Sequence, residues 1–390
     1  MSGRLRSRDL FATDAPIAGD DLIGRAVEVG SVREDLAAGV HQVLLGPRRT
    51  GKTSVCRAAL DDLAEDGAYV VSLDLFGLSS RAALAAALVA GCVANRGPVA
   101  RGASRARAAG RGLAAAATVT LTAKLQAELG QDVEMAWTPA LAARDPERSW
   151  EYALRLPQRI AEADDRQLVL FLDEFQEVAH ARRPFGDPDE LTKRVRSVLQ
   201  DSARVTVLFT GSVDHLMTDL FTPQHRAFYR FGTTRRLAPI STADWIGGLT
   251  ERFERDDVTV LPGALERLLE RSTGHPRTTM LIAQQSHLVL LTTQSRQLGS
   301  QVVEEGFFAA LAADAIGHHA ETERIRDFGG AALDTAQRIA RAERPYTGAA
   351  SRRQVQSALL RLQDAGMLER SGRGDYAFTD PLLEHYLARL

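Results

Sequence analysis

The sequence predicts an α/β chain: a parallel sheet with helices around it, then a run of helices, then a small module of helices and one hairpin. Three observations carry that prediction. A glycine-bounded loop, GPRRTGKTS (46–54), lies between an apolar run and an amphipathic helix. An unbroken apolar stretch, LVLFL, ends in two acids, Asp173 and Glu174. Beyond residue 240 the apolar spacing becomes helical and stays so until a turn-rich SGRG near the end.

The loop comes first because its chemistry is the most specific. Gly46 and Gly51 are separated by four residues and followed by Lys52 and Thr53, which completes the phosphate-loop pattern. Glycines let successive backbone N–H groups converge on a phosphate. The candidate cradle is Gly46, Pro47, Arg48, Arg49, Thr50, Gly51, Lys52, Thr53 and Ser54. Lys52 reaches the β- and γ-phosphates in such a loop, and the Thr53 hydroxyl ligates Mg²⁺. Lysine is scarce here, at 52, 124 and 193 only, so its presence in the pattern is informative. HQVLLG (41–46) reads as a short buried strand and TSVCRAALDDLAEDG (53–67) as a helix ended by Gly67. Strand, loop, helix is the required setting, since the helix N-terminus points its dipole at the anion.

A phosphate loop needs a carboxylate for the metal, and RQLVLFLDEFQEV (166–178) supplies it. Asp173, at the strand end, is placed to hold Mg²⁺ through water. Glu174, one residue on, is the candidate base for the attacking water. GAYVVSLDL (67–75) and RVTVLFTGS (204–212) read as further strands of the sheet. The second ends in polar residues, so Ser212 is the candidate γ-phosphate sensor and Thr210 the second choice. A plain strand-end turn of small polar residues is the alternative. RRLAPI (235–240) reads as a fifth, edge-like strand closed by Pro239.

Composition bounds the rest. The 390 residues suffice for two or three domains. A net charge of −2 offers no global attraction to nucleic acid or membrane, so such binding must be local. Cys56 and Cys92 are too few for a disulfide framework and read as buried thiols. MSGRLRSRDLFATDAP has no apolar core behind its basic residues, and the run LAAALVAGCVA (84–94) is too short to span a bilayer. A cytoplasmic protein without membrane attachment is expected.

These motifs resemble those of the archaeal/bacterial-type P-loop ATPases of the AAA+/STAND group, relatives of the origin-recognition-type initiator ATPases. The resemblance runs through almost the entire chain. It implies an AAA+-type nucleotide domain with ATP and Mg²⁺ as cofactors. LIGRAVEV (22–29) resembles the element that lines the adenine pocket, through Ile23, Gly24 and Arg25. FTGS (209–212) falls where the family's first sensor lies. HRAFYRFGTTRRLAPIS (225–241) resembles the segment that offers an arginine to a neighbouring subunit's nucleotide, and Arg230 is the matching position. The family's aromatic-Gly-Arg turn appears here as Phe-Tyr-Arg, which leaves Arg226, Arg235 and Arg236 as competitors. TGHPR (273–277) resembles the second sensor, with Arg277 on the first turn of a helix begun by Pro276. STADWIGGLTERF (241–253), LPGALERLLERSTG (261–274) and PRTTMLIAQQSHLVLLTTQ (276–294) read as helices of a lid.

From about 325 the pattern is helix, helix, hairpin, helix, which reads as a winged helix. SRRQVQSALLRLQDAG (351–366) places Val355, Ala358, Leu359 and Leu362 on one face, with Ser351 as cap. Arg352, Arg353 and Gln356 on that helix, Arg361 further along and Arg373 at the wing tip are candidate contacts to double-stranded DNA. The module also carries many acids, so docking of a protein, or autoinhibition, stays open beside DNA. A homo-oligomer or a partner protein is possible on either reading. ANRGPVARGASRARAAGRG (94–112) has five arginines and no acid, and reads as a phosphate-binding element or an Ala/Gly/Arg linker. TVTLTAKL (118–125) and DVEMAW (132–137) alternate like a hairpin. The expected organisation is an ATPase core over 1–240 with an insert at about 94–140, a helical lid over 241–324 and a winged helix over 325–390. Slow ATP hydrolysis coupled to movement of the winged helix is the expected activity, on DNA or in a signalling or defence switch.

Overall fold

The computed structural model describes residues 5–13, 19–95, 146–179, 185–212, 214–370, 372 and 374–390. The alternating segments at 118–125 and 132–137, most of the arginine-rich stretch and Arg373 lie outside those residues. The chain forms two compact units. One comprises Glu28–Leu45 and Cys56–Arg236; the other comprises Met1–Val27, Gly46–Val55 and Leu237–Leu390.

The first unit holds a five-stranded sheet: β1 (Gln42–Leu45), β2 (Tyr69–Asp74), β3 (Leu168–Asp173), β4 (Val205–Gly211) and β5 (Thr233–Arg236). Its order is β2-β3-β4-β1-β5, and every neighbouring pair is parallel. The apolar runs explain the placement. β3 and β4 are buried nearly throughout, as continuous Val/Leu/Phe runs demand of central parallel strands. β5, TTRR, is largely exposed and takes the edge. The register places Leu45 beside Gly211 and Leu172 beside Phe209, so the C-terminal ends of β1, β3 and β4 lie side by side at one end of the sheet. Phe209 anchors an aromatic cluster, with Phe175 at 4.7 Å and Phe228 at 5.4 Å between ring centroids.

One boundary differs from expectation. The fifth strand covers Thr233–Arg236 rather than 235–240. Beyond it the Ala238 carbonyl accepts from Arg25 at 2.7 Å instead of from a ladder partner, and Pro239 has no N–H to donate.

The second unit is mainly helical. Helices Thr242–Glu254, Ala264–Ser272, Pro276–Thr293 and Ser300–Ala313 enclose a core that includes Trp245, Leu249, Phe253, Leu268, Ile282 and Phe307. Leu10 and Phe11 of the N-terminal segment are buried in the same core. Their carbonyls accept from Arg252 at 2.6 Å and Gln284 at 2.7 Å. Ser7, His287 and Asp256 form a buried chain, 2.8 Å from Ser7 Oγ to His287 Nδ1 and 3.1 Å from His287 Nε2 to Asp256 Oδ2. Ser241 caps its helix by accepting from the Asp244 N–H, the start expected from the sequence.

Toward the C-terminus come helices Ala332–Ala340, Arg352–Asp364 and Pro381–Arg389, with an antiparallel hairpin of Leu368–Arg370 and Tyr376–Phe378. Val355, Ala358, Leu359 and Leu362 are buried in their own cluster, as the spacing predicts. Ser351 and Gln354 form the capping box.

Candidate nucleotide site

The candidate residues fall into two groups, one in each unit. The phosphate loop leaves β1 directly and runs into helix Lys52–Glu65. Gly51 has φ +93°, a conformation glycine adopts at no steric cost, and Arg49 has φ 62°, which strains a residue with a Cβ. Such strain persists only where the surroundings hold it. Lys52 is 5% exposed, and its ammonium donates to the Gly46 and Pro47 carbonyls at 2.7 and 2.6 Å. Thr50 Oγ1 donates to the Pro47 carbonyl at 2.8 Å, which tightens the same turn. A buried cation curled onto loop carbonyls, at the head of a helix, fits an anion site: phosphate oxygens are stronger acceptors than those carbonyls.

Arg25 is buried and ties the loop down, donating to the Ala238 carbonyl and, at 3.4 Å, to the Thr50 carbonyl. Gly24 precedes it with φ +61°, and a Cβ there would lie 2.8 Å from Asp244 Cβ and 2.9 Å from Ile240 Cγ2. That close approach explains the glycine.

Four further residues of this unit, none of them assigned to the site from sequence, meet the loop or its surroundings. His275 Nε2 lies 3.2 Å from the Arg48 carbonyl, and burial holds its imidazole below the ordinary range. Arg49 donates to Asp380 Oδ2 at 2.7 Å, while Asp380 Oδ1 accepts from the Leu382 and Leu383 N–H groups. Asp314 receives both arms of Arg277, at 2.6 and 3.2 Å. Burial would raise the Asp314 carboxyl, but the Arg277 hydrogen bonds and charge outweigh it and hold the acid low. His318 is buried beside them, 3.7 Å from Asp314, and burial lowers it too. Asp314, His318 and Asp380 bring one ligand atom each within 4.8 Å of one another. Arg277 and Arg49 already supply cations to both carboxylates, so the set is built as an ion-pair network. The resemblance marks Arg277 as a sensor candidate, and Asp380 ahead of Pro381 has the residue type of a helix cap; their distant partners leave no mark in local spacing.

The second group belongs to the sheet unit. Asp173 ends β3, and its Oδ1 accepts from the Glu174 N–H at 3.1 Å and from the Thr210 hydroxyl. Glu174 has φ 54°, and its Oε2 accepts from Ser212 Oγ at 2.7 Å. Each acid is thus gripped by a hydroxyl from the end of β4, and both sensor candidates, Ser212 and Thr210, have acid partners. Gln176, from the Phe-Gln pair that follows the acids, is buried and also reaches Glu174, a contact that local spacing does not show.

Among the arginines compared as trans-acting groups, Arg226 is paired with Asp189 and Asp219, and Arg235 with Asp35. Arg230 is exposed, has φ 54° and lies over the Tyr229 ring at 5.2 Å. In the C-terminal module Arg352, Arg353 and Gln356 are exposed. Arg352 packs over Tyr346, and Arg361 spends one N–H on the Phe328 carbonyl. No helix among the described residues is long and apolar enough to cross a membrane.

Solved structures share this architecture at low sequence identity. A Walker-type ATPase of Pyrococcus abyssi matches with a TM-score of 0.69 at 17% identity, over 98% of this chain and 100% of that one. The ORC2 protein of Aeropyrum pernix, in its ADPNP-ADP complexes, gives 0.60 at 15%, over 99% and 97%. Cdc6p of Pyrobaculum aerophilum gives 0.50 at 13%, over 99% of each chain. No family model matches the chain, and no curated protein does. At these identities the likeness speaks for the fold, and the fold is the one the motifs predicted: the parallel sheet and flanking helices of an AAA+ P-loop ATPase.

Proposed function

We propose that the chain is an ATP-binding, Mg²⁺-dependent ATPase that works as a molecular switch. One observation carries the reading: the buried Lys52 ammonium, folded onto the carbonyls of a strained loop at a helix N-terminus. A γ-phosphate would take over those contacts with a charge-assisted bond in place of two neutral acceptors. Ile23, Gly24 and Arg25 would border the adenine. Mg²⁺, bound by Thr53 and through water by Asp173, would neutralise charge on the phosphates. Glu174 would take the proton of the attacking water, and Ser212 and Arg277 would sense the γ-phosphate. The choice of ATP is supported by the nucleotides named for the Aeropyrum pernix protein.

For the organisation we propose an ATPase core over 1–240, its N-terminal segment packed through Leu10 and Phe11 into the helical unit, a lid over 241–324 and a winged helix over 325–390. The winged helix would act on DNA through Arg352, Arg353 and their neighbours, which are exposed on one helix. A second reading has its own observation. The Arg49–Asp380 pair ties the phosphate loop to the cap of the last helix, as suits a signalling switch in which this module restrains the nucleotide site. Sizing the Glu174→Gln protein with ATP and with ADP, with and without duplex DNA, separates the two. DNA binding lost in the Arg352→Ala, Arg353→Ala double variant supports the first. ATP-dependent assembly without any DNA binding supports the second. Calorimetry showing no uptake of Mg·ATP by the folded protein would remove both.

A further inference from the structure

Glu174 does not extend freely from β3. Its Oε2 accepts from Ser212 Oγ at 2.7 Å and from Gln176 Nε2 at 2.5 Å. Gln176 is 1% exposed and uses its amide on both sides. Its Oε1 accepts from the Ser212 N–H at 3.2 Å, and its Nε2 also lies 3.4 Å from Ser212 Oγ. Chemistry forces this orientation. A backbone N–H can only donate and an ionised carboxylate can only accept, so the carbonyl faces Ser212 and the NH₂ faces Glu174. The backbone closes around the amide. A Cβ on Gly211 would lie 2.7 Å from Gln176 Oε1 and 2.3 Å from Met217 Cγ, so residue 211 must be glycine for the amide to fit.

A glutamine buried only to satisfy a turn would need the Ser212 N–H and nothing more. Here the other end of the same amide is spent on the one acid to which hydrolysis is assigned. We infer that Gln176 is a positioning residue: it fixes the Glu174 carboxylate and couples it to Ser212, so that base and phosphate sensor hold one geometry. The inference rests on the ATPase reading above. Placement errors of about an ångström at such a base cost on the order of a hundredfold in rate, so the amide has a measurable effect to exert.

The test compares wild type, Glu174→Gln, Gln176→Leu and Gln176→Glu in Mg·ATP affinity, single-turnover hydrolysis and its pH profile. Hydrolysis by wild type that is lost in Glu174→Gln establishes the underlying reading. On that footing Gln176→Leu should bind Mg·ATP within about twofold of wild type and hydrolyse about tenfold or more slowly. Gln176→Glu is nearly isosteric and sets a second carboxylate against Glu174. The two must share a proton, and the introduced carboxyl, while protonated, mimics the amide donor. Its rate should therefore fall as pH rises and that proton leaves, a limb absent from wild type. Hydrolysis by folded Gln176→Leu within twofold of wild type, or an unchanged pH profile in Gln176→Glu, overturns the inference and leaves the ATPase reading standing. If Gln176→Leu loses its circular-dichroism spectrum, the Gln176→Glu profile decides alone. Equal hydrolysis by wild type and Glu174→Gln overturns reading and inference together.

Discussion

Arg49 in the phosphate loop and Asp380 at the head of the last helix are joined at 2.7 Å, although 331 positions separate them in the chain. Asp380 is nearly buried and caps its helix with the other oxygen, whereas the Arg49 side chain is 43% exposed. The two ends of the pair therefore differ in what they hold. Asp380→Ala removes a cap and an ion pair and should cost about 1–2 kcal/mol. Arg49→Ala removes one half-exposed partner and should cost about 0.5–1 kcal/mol. Urea unfolding of the two single variants and the double variant measures the coupling.

Lys52→Ala should abolish Mg·ATP binding in calorimetry while leaving the far-UV spectrum intact. Glu174→Gln should keep that binding and lose turnover, because it removes the proposed proton acceptor without altering the loop. Unimpaired hydrolysis in Glu174→Gln would contradict its assigned role.

Arg277 and Asp314 form a two-armed, mostly buried pair, so removing one partner strands the other. Asp314→Ala should destabilise by about 2–3 kcal/mol. Asp314→Asn, which keeps an acceptor for one arm, should cost less. Thermal or urea midpoints rank the two.

Acid should weaken the fold. Burial depresses the imidazoles of His41, His275, His318 and His385 below their unfolded value near 6.5. The unfolded chain then takes up protons first, and stability falls as pH drops through about 6.5 toward the lower folded values. Each proton taken up contributes a slope of about 1.4 kcal/mol per pH unit. Burial raises Glu321 and Glu384, which act in the opposite sense above the ordinary glutamate range. The urea midpoint should fall between pH 7.5 and 6, and His318→Gln should flatten that fall.

If the exposed arginines of helix Arg352–Asp364 meet DNA phosphates, the Arg352→Ala, Arg353→Ala variant should bind duplex more weakly at low salt. Its slope of log affinity against log salt should be shallower by about two. Equal slopes would leave the module to protein docking.

Local pattern makes much of this legible. The phosphate loop, the acid-ended β3 and the amphipathic face of Val355, Ala358, Leu359 and Leu362 each follow from spacing within a dozen residues. What spacing does not show are partners brought together by folding. His275 meeting the Arg48 carbonyl, Asp380 meeting Arg49 and Gln176 meeting Glu174 depend on elements remote in sequence or on a turn without regular geometry. The fifth strand ends four residues before its pattern suggests, because the Ala238 carbonyl is claimed by Arg25 and Pro239 has no N–H to give the ladder.

The Ser7–His287–Asp256 chain has the order of groups found in hydrolytic triads, yet all three are sealed inside the helical unit. Serine-directed reagents should leave it untouched. Its weight is architectural. Trimming the protein back to the LIGRAVEV stretch would evict Leu10 and Phe11 from their niche and turn His287 and Asp256 toward water, so the segment around them is an integral beam of the helical unit.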